Sequence, residues 1–523
     1  MATTANLRSR RSAAQLHALA GVEREIRVQD PSSRRKYLRE FSQAFRSYET
    51  LLDGQQVRDT LGTADIILVG DYHALGTCQR YAASVVEQLA LMGRRVVLGV
   101  ETIFARDQHI LDEWWRREID ESELRERIRF DLDWGYEWAP FYELLVAARD
   151  HGDALYGLDC MPREDLRKIG ARDRHAAAKL AEIRDGHPNA AIVVLFGESH
   201  LAPGHLPLAL REELPGRRTL TVLQNVDTLY WHAAGERRDK VEAVRVSDDV
   251  LCVFNATPLE KYESYRLFLD RWGHFDGHPD FAPTFYNLIN SLAAFLEINR
   301  YSPHNGTQPR YLVDLLPEVY GQSSGAILAR LLARHNSEAE SESVLRRVEE
   351  RGSVYLPQMN AFYVREFQMA SAAEDTTRFL HQACQGLPQR RDGHTAEGNG
   401  SGAGLSIDCF YARVIEHAVA YFGSSVLCPS GPMEDVAEEI GLSRAGCEKA
   451  AQAAIRSDKN KFDESARAWG CSIGAQIYEA YLAGRVQKSG VRRLLLAHIE
   501  EPGVARKVCI AVMAKLRSAA RVS

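Results

Sequence analysis

The chain has 523 residues, enough for about three domain-sized units, and its 45% apolar and 26% charged side chains match globular averages, which excludes wholesale disorder. Against 71 acidic side chains stand 65 basic ones, a formal net charge of −6, so there is no global basic surface for nucleic acid or anionic membrane. A run of about 18 consecutive apolar residues is absent, which excludes a membrane span.

The first residues carry basic side chains but no apolar run before Glu23 and Arg24, unlike a secretory signal. Nine cysteines, odd in number and without a C-x-x-C pair, read as reduced thiols. A cytoplasmic protein is expected. Residues 1–60, with SSRRKYLREFSQAFRSYETLL, show apolar positions at helical spacing and form an N-terminal helical lead-in.

From 61 to 255 short β-branched runs alternate with longer amphipathic stretches. The expected strands are ADIILVG ending at Gly70, RRVVLGVE at Glu101, DALYGLD at Asp159, AAIVVLFG at Gly197, TLTVLQN at Asn225 and DVLCVFN at Asn255. Helices are expected from Thr77 to Met92, closed by Gly93, and from Ala171 to Asp185, closed by Gly186. Nearly continuous apolar strands joined by helices predict an α/β fold, a mainly parallel sheet covered on both faces. Residues 256–384, with PTFYNLINSLAAFLEIN, read as a helical extension, 385–404 as a flexible Gly- and Ser-containing linker, and 405–523 as a small helical domain.

In open α/β sheets ligands bind beyond the carboxyl ends of the strands. Here the first strand runs into Gly70-Asp71-Tyr72-His73 and the fourth into Gly197-Glu198-Ser199-His200, two G-x-x-H turns in one topological position, while Glu101 and Asp159 end two other strands. Two imidazoles with a carboxylate between them can ligate a divalent zinc, manganese or iron ion that activates water. The same groups can instead act as a metal-free acid/base set, with a histidine tuned by an adjacent carboxylate. His73, Glu101 and His200 are the candidate ligands and catalytic groups, with Asp71, Asp159 and Glu198 behind them or on the substrate. Neither a G-x-x-x-x-G-K-[ST] loop nor a G-x-S-x-G elbow is present, so nucleotide use and a Ser199 nucleophile are not indicated. His205 either lines the pocket or caps the helix, with the cap preferred, and His175 faces either the site or solvent.

These pieces, with the aromatic block DLDWGYEWAPFYELLVAARDHG, the turn GLDCMPR, the helix start RDRHAAAKLAEI and VVLFGESHLAPGHLP, make residues 60–255 resemble the ChaN-like haem-binding family. It lies within the superfamily that includes Tiki, TraB/PrgY and the erythromycin esterases. Tiki-like members are metal-dependent proteases and erythromycin esterases are hydrolases. In both, the functional residues resemble His73, Glu101 and His200, and Arg174 matches a basic residue of the same site. The resemblance thus implies an esterase- or peptidase-type reaction on a small molecule or peptide. ChaN-like members are instead associated with haem binding and iron acquisition, usually as exported lipoproteins. That implies haem as the alternative ligand, with Tyr72 as a candidate axial ligand and Arg163 among the polar anchors; the aromatic block around Trp134 reads as helix packing in the first place and as an apolar binding wall in the second. The chain departs from the family in lacking an export signal and lipid-attachment cysteine, in having Asp71 where Glu is common, and in its long helical extension.

Overall fold

A computed structural model describes residues 4–30, 36–160, 168–236, 241–273, 278–298, 316–321, 325–335, 338–385, 406–429, 443–499 and 502–520. The chain divides into two compact units, Ile26–Phe268 and a second made of Met1–Glu25 with Leu269–Ser523. The expected linker at 385–404 lies, beyond Gln385, outside the described residues.

The first unit is built on an eight-stranded sheet. Its strands are β1 (Thr50–Leu52), β2 (Ile66–Asp71), β3 (Val96–Phe104), β4 (Ala154–Asp159), β5 (Ala191–Gly197), β6 (Thr219–Gln224), β7 (Ala243–Ser247) and β8 (Val250–Val253). The spatial order is β1-β7-β8-β6-β2-β5-β3-β4. From β8 to β4 every neighbouring pair is parallel; only β7, between β1 and β8, runs antiparallel to both. All six residues of β2 and all seven of β5 are buried, which is why these strands read as unbroken apolar runs. The mainly parallel α/β sheet expected from the sequence is present. β1 and β7 were not expected. They are short strands at one end of the sheet with a mixed burial pattern, so neither carries a continuous apolar run.

Helices Gly76–Leu91 and Ile169–Gly186 occupy the expected places. Gly93, at φ +76°, turns the chain after the first of them, where a β-carbon would be strained. The main core joins helices of the β2–β3 and β3–β4 connections to the sheet through Val85, Leu89, Trp114, Leu144, Ile67, Leu98 and Val193. On β3 the pairing with β4 slips between Val100 and Phe104, a bulge that falls on Glu101. Gly157 makes this bulge possible, because a β-carbon there would lie 2.8 Å from the carbonyl oxygens of both Ile103 and Phe104.

The second unit is mostly helical, with a small sheet of order β10-β11-β9 from β9 (Glu318–Tyr320), β10 (Ser353–Leu356) and β11 (Ala361–Val364). Its longest packed pair is Ile407–Leu427 against Lys459–Leu482. Gly470 and Gly474 set their separation: β-carbons there would lie 2.7 Å from Val414 O and 2.6 Å from Ala418 O. No described helix is long and apolar enough to cross a membrane, and none of the nine cysteines is in a disulfide.

Candidate functional site

Chain order takes β2 to β3, but β5 lies between them in the sheet, with β6 on the far side of β2. The crevice at such a reversal, outside the carboxyl ends, collects side chains from strands distant in sequence. Asp71 ends β2, Glu101 sits on the β3 bulge, Asp159 ends β4 and Gly197 ends β5.

Glu101 is the centre. Its Oε1 accepts from Arg172 Nη2 at 2.5 Å and its Oε2 from the Gly197 backbone N–H at 2.5 Å. Arg172 also grips Asp159, with Nε and Nη2 each donating at 2.9 Å, the two-point fork of a guanidinium on a carboxylate. All three side chains are at least nine-tenths buried. Burial by itself raises the Glu101 carboxyl, but Arg172, His200 and His73 outweigh it and bring it down to about 2. Arg172 in turn keeps its charge against burial through Glu101 and Asp159.

Two histidines approach Glu101 from opposite carboxylate oxygens. His73 Nε2 is 4.0 Å from Oε2 and His200 Nε2 is 3.7 Å from Oε1. Each ring is held from behind: His73 Nδ1 is 2.8 Å from Asp71 Oδ2, and His200 Nδ1 is 2.5 Å from Asp173 Oδ1. An ionised carboxylate only accepts, so Nδ1 carries the proton in both rings and Nε2 presents its lone pair toward Glu101. Gln79 Nε2 donates to the other Asp71 oxygen. Burial raises Asp71 above the usual carboxylate range against the pull of His73. Asp173 sits below that range because His200 and His205, 3.0 Å away at Nδ1, together overcome its burial. Gly197 leaves room for all this, since a β-carbon there would meet Glu101 Oε2 at 3.0 Å and His73 Nε2 at 3.2 Å. Beside His73 stand Trp134, with ring centroids 4.5 Å apart, and Tyr136, at 5.3 Å.

The structure therefore brings together His73, Glu101, His200, Asp71 and Asp159, with Trp134 against His73. It leaves Tyr72 and Glu198 in an adjoining group: Lys261 Nζ donates to Glu198 Oε2 at 3.0 Å and lies 4.7 Å from the Tyr72 ring centroid. Burial holds the Tyr72 hydroxyl well above its ordinary range, and Lys261 stays charged through Glu198 and Asp227 despite burial. Arg174 is exposed on helix Ile169–Gly186 and faces away from the cluster; Arg172 and Asp173 are there instead. Arg163 lies outside the described residues. His205, at the N-cap position of helix Leu206–Glu213, makes no capping hydrogen bond with its side chain and bonds Asp173 instead; Arg172, Asp173, Gln79 and Lys261 are not among the site residues expected from the sequence. For Arg172 and Asp173 a signal existed. The buried stripe Ala176, Ala177, Leu180 and Ile183 shares a helix face with 172 and 173 and not with 174. As a divalent-metal centre the donor set fits poorly: both Glu101 oxygens already accept from strong donors, and among the described residues no group of three or more His, Cys, Asp or Glu side chains is disposed to hold a metal ion.

A mainly parallel sheet with an Arg-held carboxylate between two Asp-held histidines makes this an α/β domain with a candidate site at its strand ends. Residues 57–188 match the family described as haem-binding uptake, Tiki superfamily, ChaN, and this part of the chain is ChaN-like. Among solved structures the chain is similar to one of cofacial haem binding to ChaN of Campylobacter jejuni, at 15% identity over 38% of this chain and 91% of that chain, with a TM-score of 0.28. No curated protein matches the sequence.

Proposed function

We propose that the strand-end site is a hydrolytic acid/base centre acting on an ester or amide of a small molecule or peptide. The observation that carries this reading is the pair of imidazole Nε2 atoms, 4.0 and 3.7 Å from the two oxygens of one buried, Arg172-held carboxylate. His73, the more exposed ring at 24% against 5%, removes a proton from water with Nε2. Asp71 holds its tautomer and balances the resulting imidazolium, as a carboxylate does behind a catalytic histidine. Glu101 stays ionised throughout, held by Arg172. The His73 imidazolium then returns that proton from Nε2 to the leaving group, while His200, held through Nδ1 by Asp173, accepts a hydrogen bond from the attacking water at Nε2 and positions it. Turnover of a chromogenic ester should fall by about 10²- to 10⁴-fold in His73→Ala and in His200→Ala. Equal turnover in wild type and both variants would overturn the assignment. Stoichiometric metal in protein purified without chelator, lost in the double variant, would replace it by the metal-dependent form of the same hydrolase.

A second reading, haem binding without turnover, is favoured by the ChaN match and by the Trp134 and Tyr136 rings beside His73. An imidazole edged by aromatic rings fits an iron porphyrin: His73 Nε2 would hold its iron, and Trp134 and Tyr136 would pack against its apolar surface. Tyr72 fits that role less well, lying under Lys261. A saturable Soret change on titration, abolished by His73→Ala, supports this reading; a featureless titration rejects it.

A further inference from the structure

The helical unit contains a concentration of arginines that the strand-end site does not use. Helix Glu338–Arg351 supplies Arg347 and Arg351, helix Met369–Gln385 supplies Glu374, Asp375 and Arg378, and helix Lys459–Leu482 supplies Arg467. Glu374 is 1% exposed and takes three of these cations. Arg351 grips it with both Nη atoms, Arg378 Nη2 donates at 2.6 Å, and Arg467 Nη1 is 3.5 Å away. The other carboxylate, Asp375, accepts from Ser353 Oγ at 2.8 Å. His417 adds no charge, because its Nδ1 faces Arg378 Nη2 at 3.0 Å and burial with Arg378 pushes its pKa well down. Arg413 is matched by Glu416 at 2.8 Å.

Four arginines thus share two carboxylates, an excess of two positive charges in a mostly buried setting. Two further facts point outward from that balance. Among the described residues Arg347 makes no hydrogen bond or ion pair, and its Nε, like Arg378 Nε, is buried without a partner. A cationic donor left so is costly unless something accepts from it. The side chains of Arg351, Arg378 and Arg467 remain 14%, 15% and 23% exposed, so the cluster borders solvent.

We infer that this arginine cluster binds a phosphate-type oxyanion, either the free ion or the phosphoryl group of a small metabolite. Planar guanidinium forks match tetrahedral oxyanions in two-point contacts, and a dianion cancels the excess of two charges while accepting from Arg347 and Arg378. Burial and Arg378 bring Arg347 down to about 10, the direction expected for a cation awaiting its counter-charge. Isothermal titration of the full chain at low ionic strength, with inorganic phosphate in one arm and glycerol phosphate in the other, tests the site. Saturable binding of about one equivalent in either arm is expected, weakened by added sodium chloride. Tighter binding of the monoester identifies an organic phosphate, and equal or weaker binding identifies the free ion. Arg347→Ala, which removes no internal hydrogen bond, should weaken binding about tenfold or more with an unchanged circular dichroism spectrum. Arg467→Gln provides a second variant should the first fail to fold. No saturable binding in either arm, or binding unchanged in both variants, would overturn the assignment.

Discussion

Replacing Arg172 by methionine removes the cation that both Glu101 and Asp159 lean on while keeping most of the side chain's volume. Depression of Glu101 from an ordinary 4.5 to about 2 corresponds to ~3 kcal/mol in favour of the folded, ionised form. In wild type that contribution is present above the unfolded value near 4.5 and fades as pH falls through about 2. In Arg172→Met the largest opposing influence is gone and burial dominates, so Glu101 takes up a proton nearer neutrality. A loss of about 3–5 kcal/mol is expected at pH 7, the usual result of leaving a buried charge unpaired, shrinking as pH is lowered toward 4.5. Five of the seven tryptophans (114, 115, 134, 138 and 231) lie in the α/β unit, so urea unfolding followed by tryptophan fluorescence reports chiefly on it. Adding Glu101→Gln to the variant should recover part of the loss. A deficit under about 1 kcal/mol that is flat between pH 7 and 4.5 would refute the central place given to this ion pair.

Gly197→Ala introduces a methyl group 3.0 to 3.2 Å from Glu101 Oε2 and His73 Nε2, so both must shift. Ester turnover or haem affinity should fall at least tenfold, with a stability loss of about 1–3 kcal/mol; wild-type behaviour in both would show that the two histidines do not work at this spacing. His205 is raised above its ordinary range chiefly by its hydrogen bond to Asp173, so its contribution is complete below about 6.5 and lost as pH rises through the raised folded value. Urea midpoints of His205→Gln should accordingly trail wild type by more at pH 6 than at pH 9, and a gap that does not change with pH would contradict this.

The central strands were legible because burial on both faces forces unbroken apolar runs, and four of their ends showed the groups that meet in the crevice: Asp71, Glu101, Asp159 and Gly197. β1, β7 and the small sheet of the second unit were not, being three to five residues long and too short for a period to emerge. At the site, the pairing of Asp71 with His73 is local and could be suspected from adjacency. The pairing of His200 with Asp173 spans 27 residues and depends on how helix Ile169–Gly186 rotates over the sheet. The family resemblance points to Arg174 as the basic residue; a difference of two positions, roughly 200° around a helix, places it in solvent and brings Arg172 inward. Lys261 lies well beyond the second G-x-x-H turn, and nothing in its local sequence marks it as the partner of Glu198.

Because β5 sits between β2 and β3, Asp71 and Glu101 belong to strands that are never neighbours, and a third strand some 90 residues further along must slot between them. Until it does, Glu101 lacks the Gly197 N–H, and the turn that carries His200 has no place to start. Occupancy of the crevice therefore rewards only a sheet that has closed around β5, so a ligand bound there acts as a clasp on completed folding rather than on any early fragment. A polypeptide cut at residue 188 would keep all four of the cluster's carboxylates, Asp71, Glu101, Asp159 and Asp173, and present them across an open gap.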